Sequence, residues 1–539
     1  MELTGRSILG SQLAGTRGKI FRATNPATGR ELEPNYYSAD AEETGRAAEL
    51  AASAFAEYRG ASGKVKGALL LKIAEQIEAL GDDLTTRAVQ ETALAPARIK
   101  NETARTCFQL RLFAELVEEG SWLGARIDRG NPSRTPAPKP DVRSMWKALG
   151  PVAVFCASNF PIAFSVAGGD TASALAAGNP VVVRAHAAHP GTAEMAGQAI
   201  QRAVKESKLP AGIFSLLFDS GIEVGSALVS HPAIKGVGFT GSRGGGRALM
   251  DAAARRPEPI PVFAEMSSIN PVFILPGAMK ERGAEIAKGV HASVTLGAGQ
   301  FCTKPGVVVV GDDARASEFA ASVRDLMKAS GEFTLLTSRI HQAYRSEVGA
   351  RSREVKTGQV FQSSGDAEAN GFRVGTALFE TDAKAFLQNA DLHSEIFGPS
   401  TLLVRHGSRD EMLAIARGLE GHLTATLHGT EEDLRAFADL VAILETKVGR
   451  LIFNGYPTGV EVCHAMVHGG PYPATSDGRS TSVGTQAIYR FARPVCYQDF
   501  PDASLPEELK NDNPLGIWRL VDGQMTRAQV TAAVNAKSV

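Results

Sequence analysis

The two apolar runs Pro151-Val-Ala-Val-Phe-Cys156 and Pro180-Val-Val-Val-Arg184 decide the fold of this chain. Short β-branched runs that alternate with helices are typical of parallel strands covered on both faces. The same alternation predicts further strands at 214–218, 235–239 and 262–265, and helices near 162–176, 191–206, 221–230 and 243–255. The sequence therefore predicts an α/β fold with a doubly wound parallel sheet, the usual platform for a nucleotide.

The flanking segments complete the predicted organisation. Residues 41–119 have the periodicity of successive amphipathic helices that pack on a sheet. A second α/β region is predicted from about 271 to 480, with strands near 307–311, 401–405, 424–428 and 449–453. Four prolines between 131 and 140 predict an extended arm. The aromatic and proline-rich segment 488–515 suggests an arm that closes on another surface or subunit.

The overall charge is close to neutral, with 57 Lys and Arg against 58 Asp and Glu in 539 residues. No net field would attract nucleic acid or an anionic membrane, so neither is expected as a partner. Polar residues and prolines interrupt the low-charge region 150–183, which argues against a membrane span. The polar N-terminus lacks the apolar core of a signal peptide, and five cysteines do not suggest a disulfide framework. We therefore expect a cytoplasmic protein that acts on a small molecule.

A reactive cysteine is predicted in the glycine-rich stretch Gly297-Ala-Gly-Gln-Phe-Cys302-Thr-Lys-Pro-Gly306, which precedes an apolar strand. Small neighbours let backbone N–H groups and a flat cofactor ring approach the sulfur closely. The alternative is that Cys302 is a small buried hydrophobe, the commonest role of an intracellular cysteine. The other four cysteines lie in helical or apolar surroundings and are expected to be inert packing thiols.

Two polar residues at the ends of predicted strands are candidates for chemistry around Cys302. Glu265 ends the strand 262–265, where a carboxylate is a poor core residue and a good general base. Asn159 follows the first strand of the sheet, and its amide could donate a hydrogen bond to a developing oxyanion. Alternatively, the Asn159 side chain satisfies only its own turn.

The turn Thr240-Gly241-Ser242-Arg-Gly-Gly-Gly246 connects a predicted strand to a predicted helix. Ser242 can cap that helix, and the glycines let the backbone approach a pyrophosphate held at the positive helix end. The spacing differs from G-x-G-x-x-G, and glycine-rich turns are also common structural devices. Nucleotide binding and a purely structural turn therefore both remain open for this segment.

Two groups of histidines have spacings that could bind zinc: His186 with His189, and Cys463-His464 with His468. A structural zinc site needs four ligands close together in space. Neither group is part of a compact four-ligand set, so no metal site is predicted.

Five short motifs follow one another along the chain: Asn159-Phe-Pro161, Phe239-Thr-Gly-Ser242, Glu265, Gly299-Gln-Phe-Cys302 and Glu395-Ile-Phe-Gly-Pro399. In this order and at these distances they resemble the aldehyde dehydrogenase superfamily, over residues 20 to 495. The segments Arg256-Pro-Glu-Pro-Ile-Pro261 and His468-Gly-Gly-Pro-Tyr-Pro-Ala-Thr475 look like those of the bacterial 2-oxoglutarate semialdehyde (2,5-dioxopentanoate) dehydrogenases.

The resemblance implies an aldehyde dehydrogenase-like α/β fold with three parts. Residues 1–125 and 150–270 would form a Rossmann-type NAD(P)-binding domain, and residues 271–480 an α/β catalytic domain. Residues 126–149 and 481–539 would form a small oligomerisation arm and the C-terminal segment. A homodimer or homotetramer would be expected.

The resemblance also implies roles for individual residues. Cys302 would attack the aldehyde as a thiolate, Asn159 would hold the oxyanion, and Glu265 would activate the water that hydrolyses the thioester. Glu395 would hold the nicotinamide ribose, with Phe397 beside the ring. The other predicted cofactor-binding residues are Ser158, Arg184, His186, Gly241, Ser242 and Arg243.

NADP is the predicted cofactor, with NAD as the alternative. Ala187 stands where NAD-preferring members of the superfamily have a Glu that grips both ribose hydroxyls, so no carboxylate at this position repels a 2′-phosphate. Arg184 and Arg243 could pair with that phosphate, because guanidinium geometry matches phosphate oxygens.

The predicted substrate is 2-oxoglutarate semialdehyde, and the alternatives are another aldehyde, such as succinic semialdehyde or a fatty aldehyde, and a non-catalytic protein with the same fold. On the helix 99–119, Arg105 and Gln109 share one face and could hold the distal 2-oxo acid group. Alternatively, Arg105 is a surface arginine with an ordinary helix contact. Apolar walls are predicted at Phe160, Phe164 and Phe301.

Overall fold

The computed structural model describes residues 2–355, 357–361 and 371–530, whose strands form three larger sheets and two smaller strand pairs. The first sheet has the order Val262–Glu265, Gly236–Thr240, Val152–Phe155, Val181–Arg184, Phe214–Leu217, Ile8–Leu9, Gln12–Leu13. Its first five strands are parallel, and the two N-terminal strands are antiparallel. The strand order reverses at Val152–Phe155, and in such sheets the crevice at the carboxyl ends of the strands binds ligands.

The second sheet has the order Thr357–Val360, Ala377–Asp382, Ser400–His406, Val307–Gly311, Val272–Ile274, His422–His428, Val448–Phe453. All neighbouring strands are parallel except the first pair. The run of four valines from Val307 is buried on both faces, as expected for a central parallel strand. This strand follows the turn that contains Cys302.

The third sheet has the order Ala492–Gln498, Val142–Ala148, Arg126–Asp128, Arg519–Val521, Gln524–Thr526. The proline-rich segment 131–140 lies between two of these strands and is not an extended arm. Asn131 and Lys139 pair across it through two N–H···O hydrogen bonds of 2.8 Å, which close it into a loop. Residues 531–539 of the predicted C-terminal segment lie outside the described residues, as do residues 356 and 362–370 of the predicted catalytic domain.

Helices cover the sheets, and polar N-caps fix where many of them begin. Asp40 forms a capping box with Glu43, and Ser242 accepts a hydrogen bond from the Gly245 N–H, which confirms its predicted role as a cap. The α-helices are Ala41–Tyr58, Gly63–Glu78, Gly81–Thr92, Pro96–Glu119, Gly169–Ala177, Pro190–Glu206, Glu223–Ser230, Arg243–Ala254, Pro276–Thr295, Ala314–Ala329, Ser338–Glu354, Ala383–Gln388, Arg409–Gly418, Glu431–Ala436 and Ala438–Glu445. In the described part of the chain, none combines the length and apolar character that crossing a membrane requires.

The prediction of a helix near 162–176 is wrong at its start, because the helix begins only at Gly169. The carboxylate of Glu102, on the helix Pro96–Glu119, accepts hydrogen bonds from the backbone N–H groups of Ile162 and Ala163 at 2.9 and 3.0 Å. These contacts hold the segment before Gly169 in an irregular conformation. The segment that follows the central strand is therefore a loop that can present side chains to the crevice.

Candidate active site

Cys302 follows a left-handed turn whose conformation depends on glycine. Gly297, Ala298 and Gly299 have consecutive φ angles of 57°, 61° and 67°. A Cβ atom on Gly299 would lie 2.3 Å from the carbonyl group of Gly398. Glycine therefore satisfies both the positive φ and the close backbone approach at this position. The turn packs the segment before Cys302 against Gly398.

Behind the thiol, a buried amide fixes the backbone of this turn. Asn270 Nδ2 donates hydrogen bonds to the carbonyl oxygens of Cys302 and Lys304 at 2.8 and 3.0 Å. Its Oδ1 accepts from the hydroxyls of Ser268 and Thr424 at 2.9 and 3.0 Å. The sequence analysis missed this network, which joins Asn270 to Ser268 and to the distant Thr424.

The Cys302 thiol lies against an imidazole: its Sγ atom is 3.6 Å from His468 Nε2. Burial raises the pKa of the Cys302 thiol to about 12, and the negative charges of Glu265 and Glu395 act in the same direction. The positive charge of Arg450 opposes this shift. The thiol is therefore protonated at neutral pH in the free protein.

The His468 ring is neutral and held in place by its backbone. Burial, followed by the charges of Arg450 and Arg105, lowers the pKa of His468 to about 3. The backbone N–H of His468 donates to Thr481 Oγ1 at 2.8 Å, and the backbone carbonyl oxygen of His468 accepts from the N–H of Ser482 at 2.8 Å. The sequence analysis considered His468 only as a zinc ligand and missed its proximity to the thiol.

Glu265 ends its strand inside the site, with only 4% of its surface exposed. Burial raises the pKa of its carboxyl well above the usual range, and a hydrogen bond from the Ser482 hydroxyl opposes the shift. Its Oε2 is buried and has no hydrogen-bond partner among the described residues. A buried carboxylate with an unpartnered oxygen has the properties of a general base, because that oxygen can accept a proton from a water molecule.

Asn159 lies beside the cysteine turn. Its Nδ2 donates a hydrogen bond to the carbonyl oxygen of Gln300 at 2.8 Å, and Arg98 Nη2 donates to the Asn159 carbonyl oxygen at 2.9 Å. The side chain thus contacts the cysteine segment rather than only its own turn, the alternative considered above. The Asn159 amide has a second N–H for a further acceptor.

A cavity of about 760 Å³ joins the carboxyl ends of the first sheet to the Cys302 turn. It brings together most of the predicted site residues, which line it: Cys302, Glu265, Asn159, Ser158, Arg184, His186, Gly241, Ser242, Glu395, Phe397, Phe160 and Phe164. The remaining predicted residues lie outside this lining: Arg243, Arg105, Gln109 and Phe301. His468 also lines the cavity.

The two arginines predicted to bind a 2′-phosphate already have anionic neighbours. Arg184 Nη2 donates to the carbonyl oxygen of Gly221 at 2.7 Å and lies 3.6 Å from the carboxylate of Asp219. Arg243 is about half exposed and pairs with Glu420 at 3.0 Å. Arg184 faces the cavity with its charge partly offset, and Arg243 lies outside the lining.

The charge of Glu395 interacts with that of a buried lysine that the sequence analysis did not single out. Burial raises the pKa of Glu395, the positive charge of Lys304 opposes that rise, and burial lowers the pKa of Lys304. Lys304 Nζ donates to the carbonyl oxygen of Ser400 at 2.8 Å. The basic residue after Cys302-Thr303 was the available sequence signal for this pair.

The tip of Arg105 is buried beside the site, so the alternative of a surface arginine is wrong. Its Nε donates to the carbonyl oxygen of Val460 at 3.4 Å, and its guanidinium carbon lies 5.3 Å from the centre of the Phe164 ring. Both terminal nitrogens are buried and have no hydrogen-bond partner among the described residues, and the same holds for Gln109 Nε2. Unpartnered buried donors are costly, which indicates that a ligand satisfies them.

A second arginine, which is half-buried and which the sequence analysis missed, lies near the thiol. Arg450, on the strand Val448–Phe453, donates to the carbonyl oxygens of Pro457 and Gly459 at 2.8 and 3.1 Å. Its Nε is buried without a partner among the described residues. Arg105 and Arg450 thus donate to adjacent carbonyl groups of one loop, at Val460 and Gly459. The sequence signal for Arg450 was a charged residue within an otherwise apolar strand.

The three predicted phenylalanines form one cluster. The ring centres of Phe160 and Phe164, and of Phe160 and Phe301, are each 5.2 Å apart with edge-to-face geometry. The Arg98 guanidinium lies over Phe160 and Phe301 at 4.8 and 4.5 Å. The cluster gives this side of the site an apolar wall with a cation behind it.

Two of the cysteines predicted to be packing thiols are not buried, and His189, considered as a zinc ligand, has another contact. Cys496 is exposed on an edge strand and Cys463 is half-buried, so the expectation that the four remaining cysteines pack in the core is wrong for these two. His189 Nε2 contacts the carbonyl oxygen of Ala157 at 2.9 Å. Across the described ranges, no group of three or more His, Cys, Asp or Glu side chains is arranged to hold a metal ion.

The fold and this arrangement define the class of protein: the chain belongs to the aldehyde dehydrogenase family, whose sequence profile matches residues 13–486. The predicted superfamily, fold class and type of enzyme are therefore confirmed. Members of this family use NAD(P) as cofactor.

Two relatives of known type align over nearly the full chain. Alpha-ketoglutaric semialdehyde dehydrogenase 2 of Azospirillum brasilense is 50% identical over 531 residues, which cover 97% of this chain and 100% of that protein. Alpha-ketoglutaric semialdehyde dehydrogenase of Acinetobacter baylyi is 42% identical over 529 residues, which cover 98% of this chain and 99% of that protein.

Solved structures with the same fold are more distant in sequence. Gamma-glutamyl-gamma-aminobutyraldehyde dehydrogenase from Burkholderia cenocepacia has a TM-score of 0.78 at 20% identity, covering 92% of this chain and 97% of that one. A 1-pyrroline-5-carboxylate dehydrogenase from Thermus with bound NAD has a TM-score of 0.77 at 20% identity, covering 92% of both chains. At this identity the similarity concerns the fold alone.

Proposed function

We propose that this protein oxidises 2-oxoglutarate semialdehyde (2,5-dioxopentanoate) to 2-oxoglutarate, with NADP as the preferred electron acceptor. Two relatives of 50% and 42% identity carry the name alpha-ketoglutaric semialdehyde dehydrogenase and align over almost the whole chain. The observation that carries the proposal is that both terminal guanidinium nitrogens of Arg105 are buried without a hydrogen-bond partner among the described residues, near the reactive cysteine. An aldehyde with a carboxylate at its far end supplies the anion that this guanidinium lacks.

The substrate would lie between Cys302 and the two arginines Arg105 and Arg450. Its aldehyde carbon meets the thiol, and its 2-oxo acid end meets the free terminal nitrogens of Arg105, with Gln109 Nε2 as a further donor. Five carbons joined by bonds of about 1.5 Å make a short chain, so both ends must be recognised within a few ångströms. Phe160, Phe164 and Phe301 cover the methylene groups in between.

The catalytic residues divide the reaction between them. Cys302 forms the covalent thiohemiacetal and then the thioester, while the second Asn159 N–H and the Cys302 N–H hold the oxyanion. Glu265 takes a proton from the water that hydrolyses the thioester. A raised pKa suits this role, because a stronger base removes the proton of water more readily.

The cofactor would occupy the outer part of the cavity. The helix Arg243–Ala254 begins at the lining, where the N–H groups of its first turn would meet phosphate oxygens. NAD(P), when bound, accepts the hydride that leaves the substrate carbon. Glu395 would hold the ribose next to it, with Ser158, His186, Gly241, Ser242 and Phe397 as further contacts.

The preference for NADP rests on the side chains near the adenosine ribose. Ala187 offers no carboxylate to repel a 2′-phosphate, and Arg184 lines the cavity. Because Arg184 already lies near Asp219, and Arg243 near Glu420, a bound 2′-phosphate must compete with these carboxylates. Because this competition weakens the advantage of the 2′-phosphate, we propose that the protein also binds NAD.

We propose a homodimer or homotetramer in the cytoplasm, with residues 126–149 and 481–539 as the oligomerisation arm and C-terminal segment. Ala492–Gln498 is an edge strand of the third sheet, and an edge strand offers unpaired backbone groups to a second copy. The proposed NAD(P)-binding domain comprises residues 1–125 and 150–270, and the catalytic domain residues 271–480.

The experiment is to supply the purified full chain with 2-oxoglutarate semialdehyde and NADP, and to quantify both products. The proposal predicts one 2-oxoglutarate for each NADPH formed. Rapid oxidation of succinic semialdehyde or a fatty aldehyde, with none of 2-oxoglutarate semialdehyde, would replace the proposed substrate. No NADPH or NADH with any aldehyde would contradict catalysis altogether.

A further inference from the structure

The roles proposed so far leave one buried group at the reacting sulfur without a function. His468 Nε2 is 3.6 Å from Cys302 Sγ, within the distance of a hydrogen bond to sulfur. No other side chain of the described residues lies within hydrogen-bonding distance of this sulfur. The carboxylate of Glu265, the proposed base for water, is therefore not the group that the thiol contacts.

The geometry of the imidazole suits a proton acceptor. A neutral imidazole has one N–H and one lone pair, and a thiol that donates to Nε2 requires the proton to be on Nδ1. Nδ1 is buried and has no partner among the described residues, so no neighbouring donor fixes the opposite tautomer, in which Nδ1 would accept a hydrogen bond. The hydrogen bonds of the His468 backbone to Thr481 and Ser482 keep the ring at the sulfur.

We propose that His468 is a catalytic residue that accepts the thiol proton as Cys302 attacks the aldehyde. The S–H bond breaks and its proton moves to His468 Nε2 while the C–S bond forms and the carbonyl π-electron pair moves to oxygen. When water later displaces the sulfur from the thioester, the leaving thiolate regains the proton from His468. The proton is thus conserved over the cycle, and Glu265 is needed only for the water.

The positive charges that face His468 disfavour an imidazolium, so protonation of the ring can only be transient. Arg105 on the helix Pro96–Glu119 and Arg450 on the strand Val448–Phe453 both disfavour its protonation. They keep the lone pair available in the free protein, where the pKa of the ring is lowered to about 3. During the attack, the negative charge that develops on the carbonyl oxygen offsets these positive charges, and the proton returns once the sulfur leaves.

The experiment measures alkylation of Cys302 in the full chain, without aldehyde or cofactor, from pH 6 to 9. Iodoacetamide is the probe, and the Cys302 peptide is quantified by mass spectrometry because Cys496 is also exposed. The variants are His468→Phe, which keeps an aromatic ring, and His468→Asn, which keeps a polar group. His464→Asn is the matched control, since His464 is exposed in the same loop. Glu265→Gln tests the competing base.

The proposal predicts that the wild-type rate changes less than tenfold per pH unit, because the imidazole is deprotonated over the whole range. Both His468 variants should react at least tenfold more slowly at pH 7, with a rate that rises tenfold per pH unit as free thiolate forms. His464→Asn should match the wild type, and Glu265→Gln should react at least as fast as the wild type, because the negative charge of Glu265 raises the pKa of the thiol. A wild-type rate that already rises tenfold per pH unit would overturn the proposal without any variant. So would a loss of reactivity in Glu265→Gln that the His468 variants do not share.

Discussion

Asn270 Nδ2 donates a 2.8 Å hydrogen bond to the carbonyl oxygen of Cys302, and this amide also holds the carbonyl of Lys304. Asn270 itself has a φ of 44°, in the left-handed region that Asn and Gly tolerate. One residue therefore combines a left-handed backbone with the anchoring of the nucleophile segment. Its replacement separates the contribution of the hydrogen bonds from that of the backbone conformation.

The first prediction concerns this anchor. Asn270→Gly removes the hydrogen bonds but tolerates the positive φ, so we expect a loss of about 1–3 kcal/mol in the free energy of unfolding. Asn270→Ala should lose about 1 kcal/mol more, because alanine strains the left-handed backbone. Denaturant unfolding of both variants measures the two losses. Equal stability of the two would contradict the strain, and wild-type stability would contradict the anchoring role.

The second prediction concerns the division of work between Cys302 and Glu265. Glu265→Gln should form one hydride equivalent per site in a rapid burst and then almost stop, because the base is required mainly for deacylation. Rapid-quench or stopped-flow absorbance of the reduced cofactor measures the burst, and Cys302→Ala, which cannot form the thioester, should show none. Full steady-state turnover in Glu265→Gln would contradict the role of the carboxylate.

The pH dependence follows from the same residue. Burial raises the pKa of Glu265, and only the deprotonated carboxylate can accept a proton from water. Deacylation should therefore accelerate as pH rises through this raised pKa, at a higher pH than an ordinary carboxyl would give. The kcat profile of the wild type should show this rising limb, which Glu265→Gln should lack.

The third prediction concerns the cofactor. NADP should bind at least as well as NAD, because no carboxylate at position 187 repels the 2′-phosphate. Arg184→Ala should then weaken NADP binding more than NAD binding, as measured by the Kd of each cofactor. Arg247→Ala is a suitable control, since Arg247 is exposed and pairs with Asp251 outside the cavity. Equal losses for the two cofactors would show that Arg184 does not contact the 2′-phosphate.

The sequence predicted the fold well where the signal is local. The five parallel strands of the first sheet and four strands of the second are confirmed, because apolar β-branched runs mark them clearly. The three-residue strand Val272–Ile274 was not predicted because it is too short to show a period. The third sheet was missed because its strands pair between residues far apart in the chain, as between Val142–Ala148 and Ala492–Gln498.

The site was predictable where short motifs mark it and not where folding creates it. The motif residues around Cys302, Glu265 and Asn159 line one cavity, whereas their roles remain predictions. The contact of His468 with the thiol joins segments 166 residues apart, which no local pattern reveals. The position of Arg450 near the site depends on where its strand Val448–Phe453 lies at the edge of the second sheet. The buried state of Arg105 likewise depends on the loop that contains Val460.

The fourth prediction concerns recognition of the substrate carboxylate. Arg105→Ala should raise KM for 2-oxoglutarate semialdehyde by about tenfold to a hundredfold, because a charge-assisted hydrogen bond is worth about 1.5–3 kcal/mol. The KM for pentanal, an uncharged aldehyde of the same length, should change much less. Arg111→Ala is the control on the same helix, because Arg111 pairs with Glu78 at the surface. Equal losses for both aldehydes would mean that Arg105 only supports the helix and its neighbouring loop.

The most direct test of the account is the ratio of kcat/KM for 2-oxoglutarate semialdehyde to kcat/KM for pentanal, measured with the wild-type protein. Because the arginines near the thiol should favour the anionic aldehyde, we predict a ratio of about ten to a hundred or more, from one charge-assisted contact or several. A ratio near or below one would contradict the claim that the unpartnered terminal nitrogens of Arg105 select a substrate with a distal carboxylate.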